Sequence, residues 1–216
     1  MAEKKIDVEV TLESVQIAPK ALKSPTGPRL FQCTFLWPRI GAAARAVSIP
    51  ITLAKDGTWS AADHPWTETL LCKDSLQGRF GVVLGVTGRV PDSVAASFGR
   101  ALASGAVRLM AGFADDAAGG GLLGDFFGLP FSAGAKTAAK DSPPAAVYGA
   151  TGDFDAAALP APGDTYCLEL PLVANEAVEK NAARSGPRKS SSVTARRVLA
   201  KKGETVGRCV LALKVL

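Results

Sequence analysis

Histidine is almost absent from this chain: among 216 residues the only one is His64. A histidine-based nucleophilic triad or a mixed Cys/His zinc site therefore has little to draw on. The cysteines Cys33, Cys72, Cys167 and Cys209 stand far apart and form no CxxC or Cys/His pair, so the pattern excludes the usual zinc spacings. No stretch approaches the roughly 18 consecutive apolar residues that a membrane-spanning helix requires, and the opening MAEKKIDVEV carries charges but no apolar signal core. The expectation is a cytoplasmic protein whose thiols stay reduced. Three of the cysteines lie in apolar runs, where cysteine behaves as a small hydrophobe.

Phosphate and nucleotide motifs are missing in substance. Gly119, Gly121 and Gly124 satisfy GxGxxG formally, but that pattern signals a dinucleotide only where it leaves a strand and opens a helix, and here it follows a helical pattern. AGAKT lacks the Gly-Lys-Ser/Thr register of a phosphate loop, and no GxSxG is present. His64, in ADHPW between turn-forming residues, reads as an exposed turn histidine. The expectation is a protein that is not an enzyme and that carries no cofactor and no metal.

What is present is a foldable, mildly basic chain. Hydrophobic residues make up 47% and charged residues 21%, whereas a disordered chain would be poorer in the first and richer in the second. The net charge of +5 favours anionic partners without saying which kind.

Strand patterns dominate the first half. Ile6, Val8, Val10 and Leu12 alternate with polar residues, the period of a half-buried strand. Phe31, Cys33, Phe35 and Trp37 share one face of LFQCTFLW; Val47, Ile49, Ile51 and Leu53 repeat the pattern. Pro50 on their opposite face marks an edge or a bulge, because proline cannot donate to a ladder. AKDG turns the chain. After WTETLLCK, Phe80, Val82, Leu84 and Val86 alternate in RFGVVLGVTG.

From Asp92 the apolar positions Val94, Phe98, Leu102, Leu109 and Phe113 recur at helical spacing, which predicts an amphipathic helix over about 92–113. It runs into a long Gly/Ala/Pro-rich loop region, and the whole of about 91–164 reads as an insertion in a single domain spanning 1–216. Regular structure resumes with Tyr166, Leu168, Leu170 and Leu172. NEAVEKNAAR reads as a short helix capped by Asn175. The C-terminal segment reads as a hairpin turning at KKGE, with Cys209, Leu211, Leu213 and Val215 buried on its last arm.

The stretch DHPWTETLLCKDSLQGRFGVVLGV resembles the middle of a C2 domain, in which a Pro-Trp element followed by an acidic residue enters one strand and an alternating apolar strand follows. Pro65, Trp66 and Glu68 take those places. IDVEVTLESVQIAP is similar to the first C2 strand and VGRCVLALKVL to the closing one; together the pieces cover about half of the chain. The resemblance implies a mainly β fold, an antiparallel C2-like β-sandwich, with Trp66 buried beside its core. Calcium-binding C2 domains gather aspartates from loops at one end, since a hard cation needs several oxygen ligands. Here the corresponding loops read KSPTGPR and TGRVPDS, and a cation would meet Arg89. The expectation is calcium independence; Asp115, Asp116, Asp153 and Asp155 read as solvated turn residues.

Two segments invite a functional reading. GLLGDFFGLPFSAG crowds Phe126, Phe127 and Phe131 into the Gly-rich region, where they either cover the core or form an interaction surface. KNAARSGPRKSSSVTARRVLAKK carries Arg188, Lys189, Arg196 and Arg197 among further cations, either as a solvated basic loop or as an attractor of an anionic surface. Ser190, Ser191 and Ser192 are candidate phosphorylation sites that would cancel this charge. The function expected is a protein-interaction module, a subunit or adaptor of a larger intracellular assembly. The alternative is calcium-independent peripheral binding to an anionic membrane surface. Nucleic acid fits poorly, because the basic segment lacks the interleaved aromatics that stack on bases.

Overall fold

The fold is taken from a computed structural model, which describes residues 5–36, 44–96, 109–111, 146–181 and 196–216. It is mainly β and antiparallel. In chain order the strands are β1 (Ile6–Ile17), β2 (Gly27–Leu36), β3 (Ala44–Leu53), β4 (Thr58–Ser60), β5 (Leu70–Leu76), β6 (Arg79–Thr87), β7 (Leu109–Ala111), β8 (Ala146–Asp155), β9 (Thr165–Ala174), β10 (Val178–Asn181), β11 (Arg196–Ala200) and β12 (Thr205–Val215). A single helical turn, α1 (Trp66–Thr69), precedes β5.

The hydrogen bonds run as one continuous ten-stranded sheet in the order β4-β1-β12-β9-β8-β6-β2-β3-β7, with β5 also on β1. Two separate facing sheets, the expected sandwich, are not what this ladder describes. β1 gives one edge to β12 and the other first to β5, along Ile6–Thr11, and then to β4, along Ser14–Gln16. β3 passes to β4 through a tight turn, in which Gly57 N–H donates to the Ala54 carbonyl at 2.9 Å. The sheet thus curls until its two ends are one turn apart, a nearly closed barrel-like form.

Curvature of this kind needs irregular ladders. The register shifts between Leu12 and Ser14 on β1, and between Thr205 and Gly207 on β12. Gly207 is required at that place: a Cβ there would lie 1.9 Å from the Gln16 carbonyl oxygen.

The period-two reading locates most of the core; Tyr166, which it grouped with Leu168, Leu170 and Leu172, is instead 43% exposed at the start of β9. Val8, Val10, Leu12, Phe31, Cys33, Phe35, Ile49, Ile51, Leu53, Phe80, Val82, Leu84, Leu168, Leu170, Leu172, Cys209, Leu211 and Leu213 all face inward and pack together. Trp37 lies outside the described residues.

Several expectations are corrected. The region about 91–164 is not wholly an insertion, because β8 lies between β6 and β9 inside the sheet. Its pattern is hard to see since Ala146, Gly149, Ala150 and Gly152 supply little side-chain contrast, and Gly152 leaves room for the Phe154 ring that packs on Phe80. The helix of about 92–113 is helical at 92–96, but Leu109–Ala111 is a strand paired with Ala44–Ala46. A short apolar run fits either state by periodicity, and the open edge of β3 decides for the strand. NEAVEKNAAR does not begin as a helix either: Val178–Asn181 is β10, and Asn175 donates its side-chain amide to the Ala146 carbonyl at 3.0 Å instead of capping. The KKGE turn is present, with Glu204 N–H donating to the Lys201 carbonyl, but the strands on either side of it do not pair. β11 pairs with β10 as a separate ribbon, and β12 pairs with β1 and β9.

Trp66 is the clearest reversal. It is 48% exposed, whereas Trp59 on β4 is the buried indole at 6%. Trp66 opens α1 directly after Pro65, and the turn it heads stands outside the core, with only Thr69 buried. The Pro-Trp element therefore does not supply the buried anchor that the C2 resemblance implied.

Candidate interaction surface

The residues singled out as a surface divide in two. Phe126, Phe127, Phe131, Arg188, Lys189, Ser190, Ser191 and Ser192 lie outside the described residues. So do the glycines of the GxGxxG match and the AGAKT segment. Arg196 and Arg197 are described, and both are exposed on β11.

The β10–β11 ribbon is anchored at one end, where Val178 pairs with Ala200 and both side chains enter the core. From there it runs outward. Arg196 donates to Glu179 at 3.3 Å, so that cation is partly neutralised. Among the described residues no acid forms an ion pair with Arg197, whose cross-strand partner is Lys180. Like charges directly opposite on a two-stranded ribbon repel and weaken it, and the repulsion is relieved when an anionic surface covers both. Val198, next along β11, is 50% exposed and pairs with Glu179, so it lies on the other face of the ribbon, with the Arg196–Glu179 pair.

An open groove of about 560 Å³ lies on the outer face of β1, β12 and β9. Gln16, Glu169, Pro171, Thr205, Gly207 and Arg208 line it. Arg208 ties its walls together, donating through Nε to Gln16 Oε1 at 3.0 Å and through Nη1 to Glu169 Oε1 at 3.1 Å.

An exposed indole stands along the other edge of β1, beside β5. Trp66 donates its indole N–H to Glu9 Oε1 at 2.8 Å, and Glu9 also lies 3.8 Å from the Lys73 ammonium. His64 is exposed, as its turn context predicts, and stacks on Trp59 with ring centroids 5.1 Å apart while facing Glu68 at 3.3 Å.

The ends of β2 and β6 enclose a buried polar group that the sequence did not mark. Arg29 is 2% exposed and points into the curl of the sheet on the same face as Phe31. Its guanidinium donates to the Thr87 carbonyl at 3.2 Å and to the Ser24 carbonyl, while Nε has no partner. Beside it, Tyr148 donates its hydroxyl to the Ala21 carbonyl at 2.8 Å. Burial lowers the Arg29 pKa, with nearby Arg89 acting in the same direction and Tyr148 against it; burial raises that of Tyr148.

Among the described residues no group of three or more His, Cys, Asp or Glu side chains is placed to hold a metal ion. Asp155 accepts from the Ala157 N–H and so caps the turn after β8. No helix of the described residues is long and apolar enough to cross a membrane. Comparison with protein-family models, curated proteins and solved structures found no match to this chain.

The sequence missed the Lys180–Arg197 opposition because register is a property of pairing: seventeen positions separate the two, and nothing local aligns them. Trp66 did carry a legible signal. Asp63, His64, Thr67 and Glu68 surround it, without the alternating apolar neighbours that mark a core strand.

Proposed function

We propose that this chain is a non-enzymatic, calcium-independent protein-interaction module, a cytoplasmic subunit or adaptor that docks on an acidic partner surface within a larger assembly. The observation that carries the reading is the opposition of Lys180 and Arg197 across the exposed β10–β11 ribbon. A ribbon that sets two cations against each other is built at a cost to its own stability, and an acidic partner covering that face offsets the cost. Arg188, Lys189, Phe126, Phe127 and Phe131 extend the proposed surface, and phosphorylation at Ser190, Ser191 or Ser192 would weaken it. The C2-like architecture enters this proposal through the first and last strands, β1 and β12, which pair along most of their length.

The test is affinity capture of the full chain from native lysate with cross-linking mass spectrometry, comparing the wild type with an Arg196→Glu/Arg197→Glu variant. Cross-links from the 178–202 region to acidic segments of a partner, lost in the variant, support the reading. Salt-sensitive sedimentation with anionic vesicles, in the absence of any captured protein, would replace it with the peripheral-membrane alternative.

A further inference from the structure

The basic segment between β1 and β2 and the segment after β6 that carries Arg89 are brought together in this fold. Val90 N–H donates to the Pro28 carbonyl at 2.8 Å, which fixes the segment after β6 against the start of β2. Gly27, at φ 111°, lies under the Arg89 side chain so closely that a Cβ would meet Arg89 Nε at 2.6 Å. One exposed guanidinium is thereby laid across the loop that begins β2, and a second, Arg29, is buried two residues along. Among the described residues no carboxylate forms an ion pair with either. The segment 18–30 contains no acidic residue but has Lys20 and Lys23, both exposed; the nearest acid after Arg89 in the chain is Asp92.

A buried guanidinium ordinarily has a carboxylate partner, because backbone carbonyls offset only part of the cost of removing the charge from water. Arg29 has two carbonyls, a free Nε and a like charge as neighbour. We infer that this end of the sheet is an oxyanion site for a phosphoryl group, held by the Arg89 fork and drawn in by Arg29 beneath it. Guanidinium matches phosphoryl oxygens through paired N–H donors, and Lys20 and Lys23 add attraction. Gly27 serves the site by letting the Arg89 side chain lie close over the start of β2. The inference does not depend on the assembly reading, which concerns the ribbon.

The phosphoryl group is either free phosphate or the headgroup of a phosphate-bearing lipid, and two arms separate these sources. In the first, melting temperature is followed against inorganic phosphate, with chloride at matched ionic strength as control. At ten times its Kd, phosphate should raise the melting temperature by about 3–6 °C, and the rise should vanish in Arg89→Gln and partly return in Arg89→Lys. In the second, sedimentation is measured with phosphatidylcholine vesicles with and without phosphatidic acid; capture that requires phosphatidic acid and falls at least about tenfold in Arg89→Gln assigns the lipid source. Arg89 is exposed, so Arg89→Gln keeps the fold and any loss is a loss of binding. If neither arm shows binding, or if Arg89→Gln binds as the wild type does, Arg29 is only a staple between Ser24 and Thr87 and the inference fails.

Discussion

Exchanging the roles of two tryptophans provides the sharpest test of the fold. Trp59 is buried in the core cluster, stacked on His64, while half of Trp66 meets solvent. Trp59→Ala removes a large buried ring and leaves a cavity that the rigid strands around it fill only in part, which costs about 3–5 kcal/mol. That is a substantial fraction of the roughly 5–15 kcal/mol by which a domain is stable. Trp66→Ala loses partial burial and one exposed hydrogen bond to Glu9, together about 1 kcal/mol. Urea unfolding followed by far-ultraviolet circular dichroism suits the comparison, because fluorescence would change with the indoles themselves. With m near 2 kcal/mol per molar urea, the midpoint should fall by about 1.5–2.5 M for Trp59→Ala and by about 0.5 M for Trp66→Ala. Trp59→Phe refines the test. The Trp59 indole N–H is buried without a partner, so phenylalanine keeps a ring and removes an unsatisfied donor, and it should cost clearly less than alanine. A Trp66→Ala midpoint at or below that of Trp59→Ala would refute this assignment and restore Trp66 to the core.

Further outcomes follow from the same packing. Cys167 is the exposed thiol and Cys33, Cys72 and Cys209 are buried, so a disulfide reagent should titrate one thiol in the native protein and all four in denaturant. Burial raises the pKa of Cys33, Cys209 and Tyr148 in the folded state above the ordinary 9.0 and 10.0. Their contribution is therefore fully present below pH 9 and is lost as pH rises toward the folded values, because the unfolded chain releases these protons first. Unfolding free energy measured from pH 8 to 10.5 should fall, by up to about 1.4 kcal/mol per pH unit for each group, and Cys33→Ala/Cys209→Ala should flatten the decline. Gly207→Ala should destabilise severely, by more than about 3 kcal/mol, since its Cβ meets backbone on β1. Gly203→Ala, at φ 79° with open space around it, should cost only about 1 kcal/mol, and thermal melts of the pair would distinguish a packing requirement from a turn requirement. Millimolar calcium should leave the melting temperature unchanged, and a clear rise would contradict the reading of KSPTGPR and TGRVPDS.

The sequence by itself determined which residues are inside. Alternation in β1, β2, β3, β6, β9 and β12 is a local property, fixed by the period of the strand, and the faces it named are the faces that pack, except at Tyr166, which the end of β9 leaves in solvent. It also located the turns at AKDG and KKGE, because their chemistry is carried by adjacent residues. The tertiary structure alone decided which strand lies beside which. Pairing across a sheet joins segments by edge hydrogen bonds that any strand can offer, so the curling of one sheet toward a nearly closed barrel-like form leaves no mark on alternation. For the same reason a Gly/Ala strand such as β8 is legible only once β6 and β9 flank it, and Leu109–Ala111 becomes a strand because β3 has an edge to fill. The candidate sites divide in the same way. The basic character of 180–202 and the acid-free segment 18–30 around Arg29 can be read from composition, which is additive along the chain. The setting of Lys180 against Arg197 and of Arg89 over Gly27 arises from register and fold, which bring distant residues within a few ångströms.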